Sequence, residues 1–248
     1  MEREPTPADT GNTYVLVHGS WHGSWCWEKV VALLQQQGHN AIVLDLPGRA
    51  GDPTPARQLT LDSYAEKVCR VIALQRLPVI LVGHSMAGTV VSQAAEYCAP
   101  RIKKLVYLCA FLLRSGQSLW QFYHEQESGL TLAHIVRDER KGVLTFTEDA
   151  PLREIFYHDC SEFDFARARA MLVPEPFGPR EFAVRTSAER FGRVPRVYLE
   201  TLQDRSIPID LQKKMVGGTP CEKVISIDTG HSPFYAAPEE LVSHLVSL

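Results

Sequence analysis

One serine in this chain stands where a hydroxyl can become a nucleophile. Gly83-His84-Ser85-Met86-Ala87-Gly88 follows the apolar run PVILV and precedes a small-residue stretch of helical character. A serine at a tight strand-to-helix turn sits at the tip of a strained bend, and its neighbours must be small for strand and helix to approach. Gly83, Ala87 and Gly88 meet that need, although the strict G-x-S-x-G pattern has glycine where Ala87 stands. Taken alone, the segment reads as well as a helix N-cap serine after a glycine turn. A serine hydroxyl is a weak nucleophile near neutral pH and needs a general base, most simply a histidine held by a carboxylate. The chemistry would be covalent acyl chemistry.

Both partners are expected later in the chain, on loops that follow strands. Asp204 comes just after the apolar run RVYLETL, and His231 just after EKVISI, within Asp228-Thr229-Gly230-His231-Ser232-Pro233. Serine, then acid, then histidine is the chain order of α/β-hydrolases. Each residue also has a plainer reading, Asp204 as a turn residue in Asp-Arg-Ser-Ile-Pro and His231 as a loop histidine. Asp210 lies past Pro208 and better suits a helix start. His84 adjoins Ser85, but adjacent side chains at such a bend point apart. The oxyanion needs two backbone donors, one from the residue after the nucleophile and one from an early loop. Met86 and Ser20 occupy those places. His18 and His22 have the i, i+4 spacing of a metal pair, but they flank a glycine-containing loop with no third ligand nearby, so no metal is expected.

The elements that must hold these residues follow from periodicity. Short apolar runs at 14–18, 40–46, 78–83 and 104–111 read as buried strands, and helical spacing fills 24–37, 60–75 and 86–98. Residues 48–58 form a Gly/Pro-rich loop. Alternation of this kind gives a mostly parallel sheet with helices on both faces, its strands apolar throughout because both faces are covered. The rhythm stops at 112 and returns at 196–202 and 222–227, with a closing helix at 238–248. Between lie only short helical pieces near 118–127, 150–157 and 161–171. The expected organisation is therefore a flexible tail at 1–12, an α/β core at 13–111 and 194–248, and a helical cap at 112–193.

Composition removes several classes of function. The 248 residues carry 26 Lys+Arg against 29 Asp+Glu, a net charge of −3, which gives no electrostatic case for nucleic acid or an anionic membrane surface. No apolar run reaches the roughly 20 residues that span a bilayer, and MEREPTPADTG lacks the apolar stretch of a secretory signal. The six cysteines are scattered, with no C-x-x-C pair, and read as free thiols in a reducing cytoplasm.

With these residues in view, 14–27 (YVLVHGSWHGSWCW), 83–88 (GHSMAG), 189–208 (ERFGRVPRVYLETLQDRSIP) and Gly230-His231 resemble the plant methyl salicylate esterase and hydroxynitrile lyase group of α/β-hydrolases and related bacterial esterases. The resemblance spans nearly the whole chain after the first dozen residues. It implies an α/β-hydrolase core with a cap over a buried pocket, catalysis by Ser85, His231 and Asp204, oxyanion donors at Ser20 and Met86, and no cofactor. It is compatible with a homodimer. The lyase members of the group carry a threonine and a lysine where this chain has Gly19 and Ser232, which points toward hydrolysis. The expected function is that of a serine carboxylesterase acting on a small hydrophobic or aromatic ester. The expected pocket is mostly apolar, formed by Gly19, Trp21, Trp120, Phe122, Tyr123, Phe156 and Tyr157. A lyase, elimination or acyl-transfer enzyme using the same Ser-His pair is the alternative, and a non-hydrolysing receptor is a third reading.

Overall fold

A computed structural model describes residues 11–49, 51–126 and 130–248; most of the expected tail lies outside them. The first half alternates as its periodicity requires: β1 (Thr13–Val17), α1 (Glu28–Gln36), β2 (Asn40–Leu44), α2 (Leu61–Ala73), β3 (Val79–His84), α3 (Ala87–Cys98) and β4 (Ile102–Leu108). The insertion follows with α4 (Leu119–Gln126), β5 (Ile135–Asp138), β6 (Val143–Phe146), α5 (Leu152–Phe156), α6 (Glu162–Met171), β7 (Glu175–Pro176) and α7 (Gly178–Glu181). The core resumes with β8 (Arg196–Thr201), α8 (Ile209–Gly218), β9 (Lys223–Ile227), α9 (Pro233–Ala236) and α10 (Pro238–Val246).

Six strands form one parallel sheet in the order β2-β1-β3-β4-β8-β9. Side chains alternate across it, and the two faces build two separate cores. Val15, Val17, Val79, Leu81, Leu105 and Tyr107 join the core under α2, α3 and α8. Their neighbours Tyr14, Leu16, Ile80, Val82, Val106 and Leu108 join the core under α1 and α10. Burial on both sides explains why the central strands show no polar alternation. Helix α2 starts at a capping box, with Thr60 and Ser63 each accepting the other's backbone N–H.

The chain runs from β1 outward to β2, then crosses back to β3 on the other side. This reversal opens a crevice beyond the C-terminal ends of β1 and β3, the usual ligand site of a doubly wound sheet. The loop 18–23 and the turn at Ser85 meet there.

The insertion holds the expected helices α4, α5 and α6 and a further short one, α7. It also holds something the sequence reading left out, a three-stranded antiparallel sheet in the order β5-β6-β7. Its strands have four, four and two residues and one contains a proline, too short to show a period. The cap is thus mixed rather than purely helical. Among the described residues no helix is long and apolar enough to cross a membrane, and the six cysteines are unpaired.

Candidate active site

The bend at Ser85 is left-handed, with φ at 55°, a conformation that costs a non-glycine residue of order 1–3 kcal/mol. Its surroundings over-determine it. Ser85 donates its amide to Leu108 O, and its carbonyl accepts from the amides of Gly88 and Phe111. A Cβ at Gly88 would lie 2.4 Å from Phe111 O, and one at Gly83 would lie 2.8 Å from Ala87 O. The small residues around the serine are therefore steric necessities. Alanine at position 87 fits, fully buried at the start of α3.

Three residues far apart in sequence meet at this bend. His231 Nε2 is 3.0 Å from Ser85 Oγ, and His231 Nδ1 is 2.7 Å from Asp204 Oδ2. All three are buried. Asp204 also accepts from Thr201 Oγ1 and from the amides of Ser206 and Ile207. Those bonds fill its remaining lone pairs and fix its direction. His84 turns away from Ser85 and donates Nε2–H to the carbonyl of His231 at 2.8 Å. Asp210 begins α8 and does not join the group.

On the opposite side lie Ser20 and Met86. Among the described residues no acceptor takes the amide of either one, and both line a narrow cavity with Ser85. The loop carrying Ser20 must come very close: a Cβ at Gly19 would lie 2.8 Å from the Cβ of Ser85. His18 and His22 hold this loop instead of converging on a metal. His18 accepts from the amide of Leu46 at Nε2, so its Nδ1–H donates to Gly19 O. His22 donates Nδ1–H to Ser20 O and accepts from the Tyr157 hydroxyl at Nε2. Burial keeps both neutral, pulling His18 well below the usual imidazole range and His22 down to about 4. His84, Cys109 and His231 bring ligand atoms within 4.8 Å of one another. They do not suit a metal ion: both His231 nitrogens are engaged, and burial pushes the Cys109 thiol well above the range in which it would ionise.

The cavity is also lined by Trp21, Phe111, Tyr123, Thr131, Arg180 and Ser206. Trp21 and Tyr123 were expected there. Gly19, Trp120, Phe122 and Phe156 are not lining residues: Gly19 lies against the Cβ of Ser85, Trp120 packs at a tilt on His124, Phe122 faces the groove beside α8, and Phe156 packs on Trp21 and the His231 ring. Tyr157 serves as the hydroxyl partner of His22. The lining is mostly apolar, with polar side chains added by Ser20, Thr131, Arg180 and Ser206. The structure also adds a buried charged group that sequence reasoning missed. Glu175 from the cap, fully buried, accepts from Arg49, from the Trp21 amide at 2.8 Å and from Tyr64 Oη at 3.3 Å. It holds Trp21 in its own left-handed bend, φ 60°. Arg49 donates Nε–H to His22 O at 2.6 Å. No local signal marks these residues. Arg49 sits in a Gly/Pro-rich loop and Glu175 in a charged cap segment, where a solvated face is the ordinary expectation.

The fold that carries this bend is shared with known proteins. The alpha/beta hydrolase family model matches residues 14–244. A putative chloroplastic methylesterase of Arabidopsis thaliana is 31% identical over 95% of this chain and 71% of its own length. An alpha-hydroxynitrile lyase of the same plant is 30% identical over 95% of this chain and 96% of its own. Among solved structures, polyneuridine aldehyde esterase superposes with a TM-score of 0.86 at 26% identity, covering 96% of this chain and 99% of that one. A pyrethroid hydrolase from Sphingobium faniae superposes with a TM-score of 0.84 at 25% identity, covering 96% and 97%. This chain belongs to the alpha/beta hydrolase family, in the group that includes the plant methylesterases.

Proposed function

We propose that this protein is a serine carboxylesterase that cleaves a small ester through an acyl-enzyme. One observation carries the reading: the unbroken hydrogen-bond chain Ser85–His231–Asp204, facing two amides that have no other acceptor. His231 Nε2 takes the Ser85 proton as Oγ attacks the ester carbonyl, and Asp204 holds the imidazole in the right tautomer and stabilises its charge. The Ser20 and Met86 amides donate to the developing oxyanion; one such donor is typically worth about 2.7–4 kcal/mol. His231 then protonates the leaving alcohol, and water, activated by the same base, frees the acid. Ser85, His231, Asp204 and water account for every bond and proton in this sequence.

The lyase reading is weaker on two positions. The resemblance ties cyanohydrin cleavage to a threonine and a lysine where Gly19 and Ser232 stand. Position 19 leaves no room for a side chain without moving Ser85, and Ser232 is buried and carries no charge.

The test is turnover of short and aromatic p-nitrophenyl esters by the wild type and by Ser85→Ala. The expected result is clear wild-type activity and a loss of about 10⁴-fold or more in the variant. Wild-type inactivity across the panel, or activity that survives Ser85→Ala, would sink the esterase reading.

A further inference from the structure

Arg180 is a charged side chain in the cavity that the triad does not need. It lies in the short helix α7 of the cap and is 3% exposed. It lines the cavity together with Ser85, Ser20 and Tyr123. Its Nη1 donates to Ser20 Oγ at a long 3.3 Å, and its guanidinium lies 5.2 Å from the Trp21 ring centroid. Its Nε has no acceptor.

No carboxylate among the described residues forms an ion pair with it. Glu175 is committed to Arg49, Trp21 and Tyr64. Asp204 spends both oxygens on His231, Thr201 and two amides. So this side of the cavity carries two buried guanidinium groups and one buried carboxylate, and that carboxylate is saturated by the other arginine. A guanidinium stays charged in a protein, and burying it without a partner is strongly unfavourable. A site retains such an arrangement when the missing partner arrives with the ligand.

We propose that Arg180 binds an anion on the substrate, and that the preferred substrate is an ester bearing a second, free carboxylate: a half-ester of a short dicarboxylic acid. This rests on the esterase reading above and narrows it. Ser20 sets the spacing. Its hydroxyl touches Arg180 while its amide faces the oxyanion position, so the free carboxylate lies only a few bonds from the scissile carbonyl. The narrowness of the cavity suits a short chain better than a bulky one.

The experiment compares kcat and KM for monomethyl and dimethyl succinate, glutarate and phthalate, in the wild type, Arg180→Met and Arg180→Lys. The wild type is expected to prefer the half-esters by roughly 10–100-fold, mainly through KM, the worth of one charge-assisted hydrogen-bonded pair. That ratio should collapse toward one in Arg180→Met and recover in part in Arg180→Lys. The proposal is overturned if the wild type cleaves the diesters as well as the half-esters. It is equally overturned if Arg180→Met lowers both substrates alike, because the arginine then only supports the Ser20 loop. If Arg180→Met does not fold, the wild-type ratio and Arg180→Lys decide. If no ester is cleaved, the esterase reading fails by itself, and thermal melts with free succinate, glutarate and phthalate test the anion site separately. A concentration-dependent rise in Tm that Arg180→Lys weakens supports the site, and no rise in the wild type overturns it.

Discussion

The two walls of the cavity are built by different physics. The sheet supplies Ser20, Ser85, Asp204 and His231, each a few residues past the C-terminal end of a parallel strand. Strand register sets their relative positions, and tight loops fix the rest. The cap supplies Tyr123, Glu175 and Arg180 from pieces of secondary structure two to eight residues long, and Thr131 from a loop. These are held by long-range polar bonds, such as Glu175 to Trp21 and Tyr123 to Ser206. One wall thus inherits its geometry from the backbone, while the other depends on buried charges being matched. Damage to the first should remove chemistry and leave the fold intact. Damage to the second should unfold the cap or change what binds.

Asp204→Asn gives the sharpest contrast on the sheet side. The amide cannot accept the His231 Nδ1–H as a carboxylate does, and the imidazole tautomer is no longer fixed. Activity on a p-nitrophenyl ester should fall by about 10⁴-fold in kcat, with Tm nearly unchanged. A loss below tenfold would mean that another group orients His231. Glu175→Gln is the matching change in the cap. It strips the charge partner from the buried Arg49, and breaking such a pair typically costs about 3–5 kcal/mol. Urea unfolding should show a large drop in midpoint with little change in slope. A cost under about 1 kcal/mol would mean that Arg49 finds another partner, and the idea of a charge-matched cap wall would fail.

The same division governs what could be read from the sequence. The strands, the bend at Ser85 and the order Ser85, Asp204, His231 were legible because each is a local pattern: an apolar run, a small-residue turn, a polar residue just after a strand. Gly19 does not line the cavity; its steric role, letting the loop approach Ser85, appears only once two loops meet. The cap was legible only as a break in rhythm. Its sheet strands are too short to show a period, and Trp120, Phe122 and Phe156 were placed by residue type alone. Arg49, Glu175 and Arg180 could not have been found this way, since a buried charge looks identical in sequence to a solvated one.

Acid should find the seam between the walls. His18, His22 and His84 are all buried neutral, each with its pKa lowered chiefly by burial. A histidine depressed in the folded state leaves the unfolded state binding more protons at pH values between the two pKa values. Its stabilising contribution is complete above the unfolded value of about 6.5 and is lost as pH falls toward the folded value. For His22 that window runs down to about 4. Urea midpoints should therefore drop steadily below about pH 6.5, and His22→Gln should make the slope shallower. An unchanged slope would show that His22 takes up its proton without cost, through movement of the Tyr157 hydroxyl.

The smallest effect tests whether the walls are independent at all. The cap segment after α5 reaches across to both loops that carry His231 and Asp204. Asp159 accepts the Gly230 amide at 2.6 Å, one residue before His231. His158 donates Nε2–H to the carbonyl of Gln203 at 3.0 Å, one residue before Asp204. A Cβ at Gly230 would lie 2.6 Å from His158 Nε2, so a side chain there would push His158 and Asp159 aside. Asp159 is exposed, so its bond contributes modestly, about 0.5–1.5 kcal/mol. If it positions His231, Asp159→Ala should lower kcat by up to about tenfold, with KM little changed. Asp159→Asn keeps an oxygen that can accept the amide and should recover most of the rate. Equal losses in both variants would mean that charge, not position, is what Asp159 supplies. No loss in either would mean that the sheet loops alone hold the histidine, and the separation between the two walls would be complete.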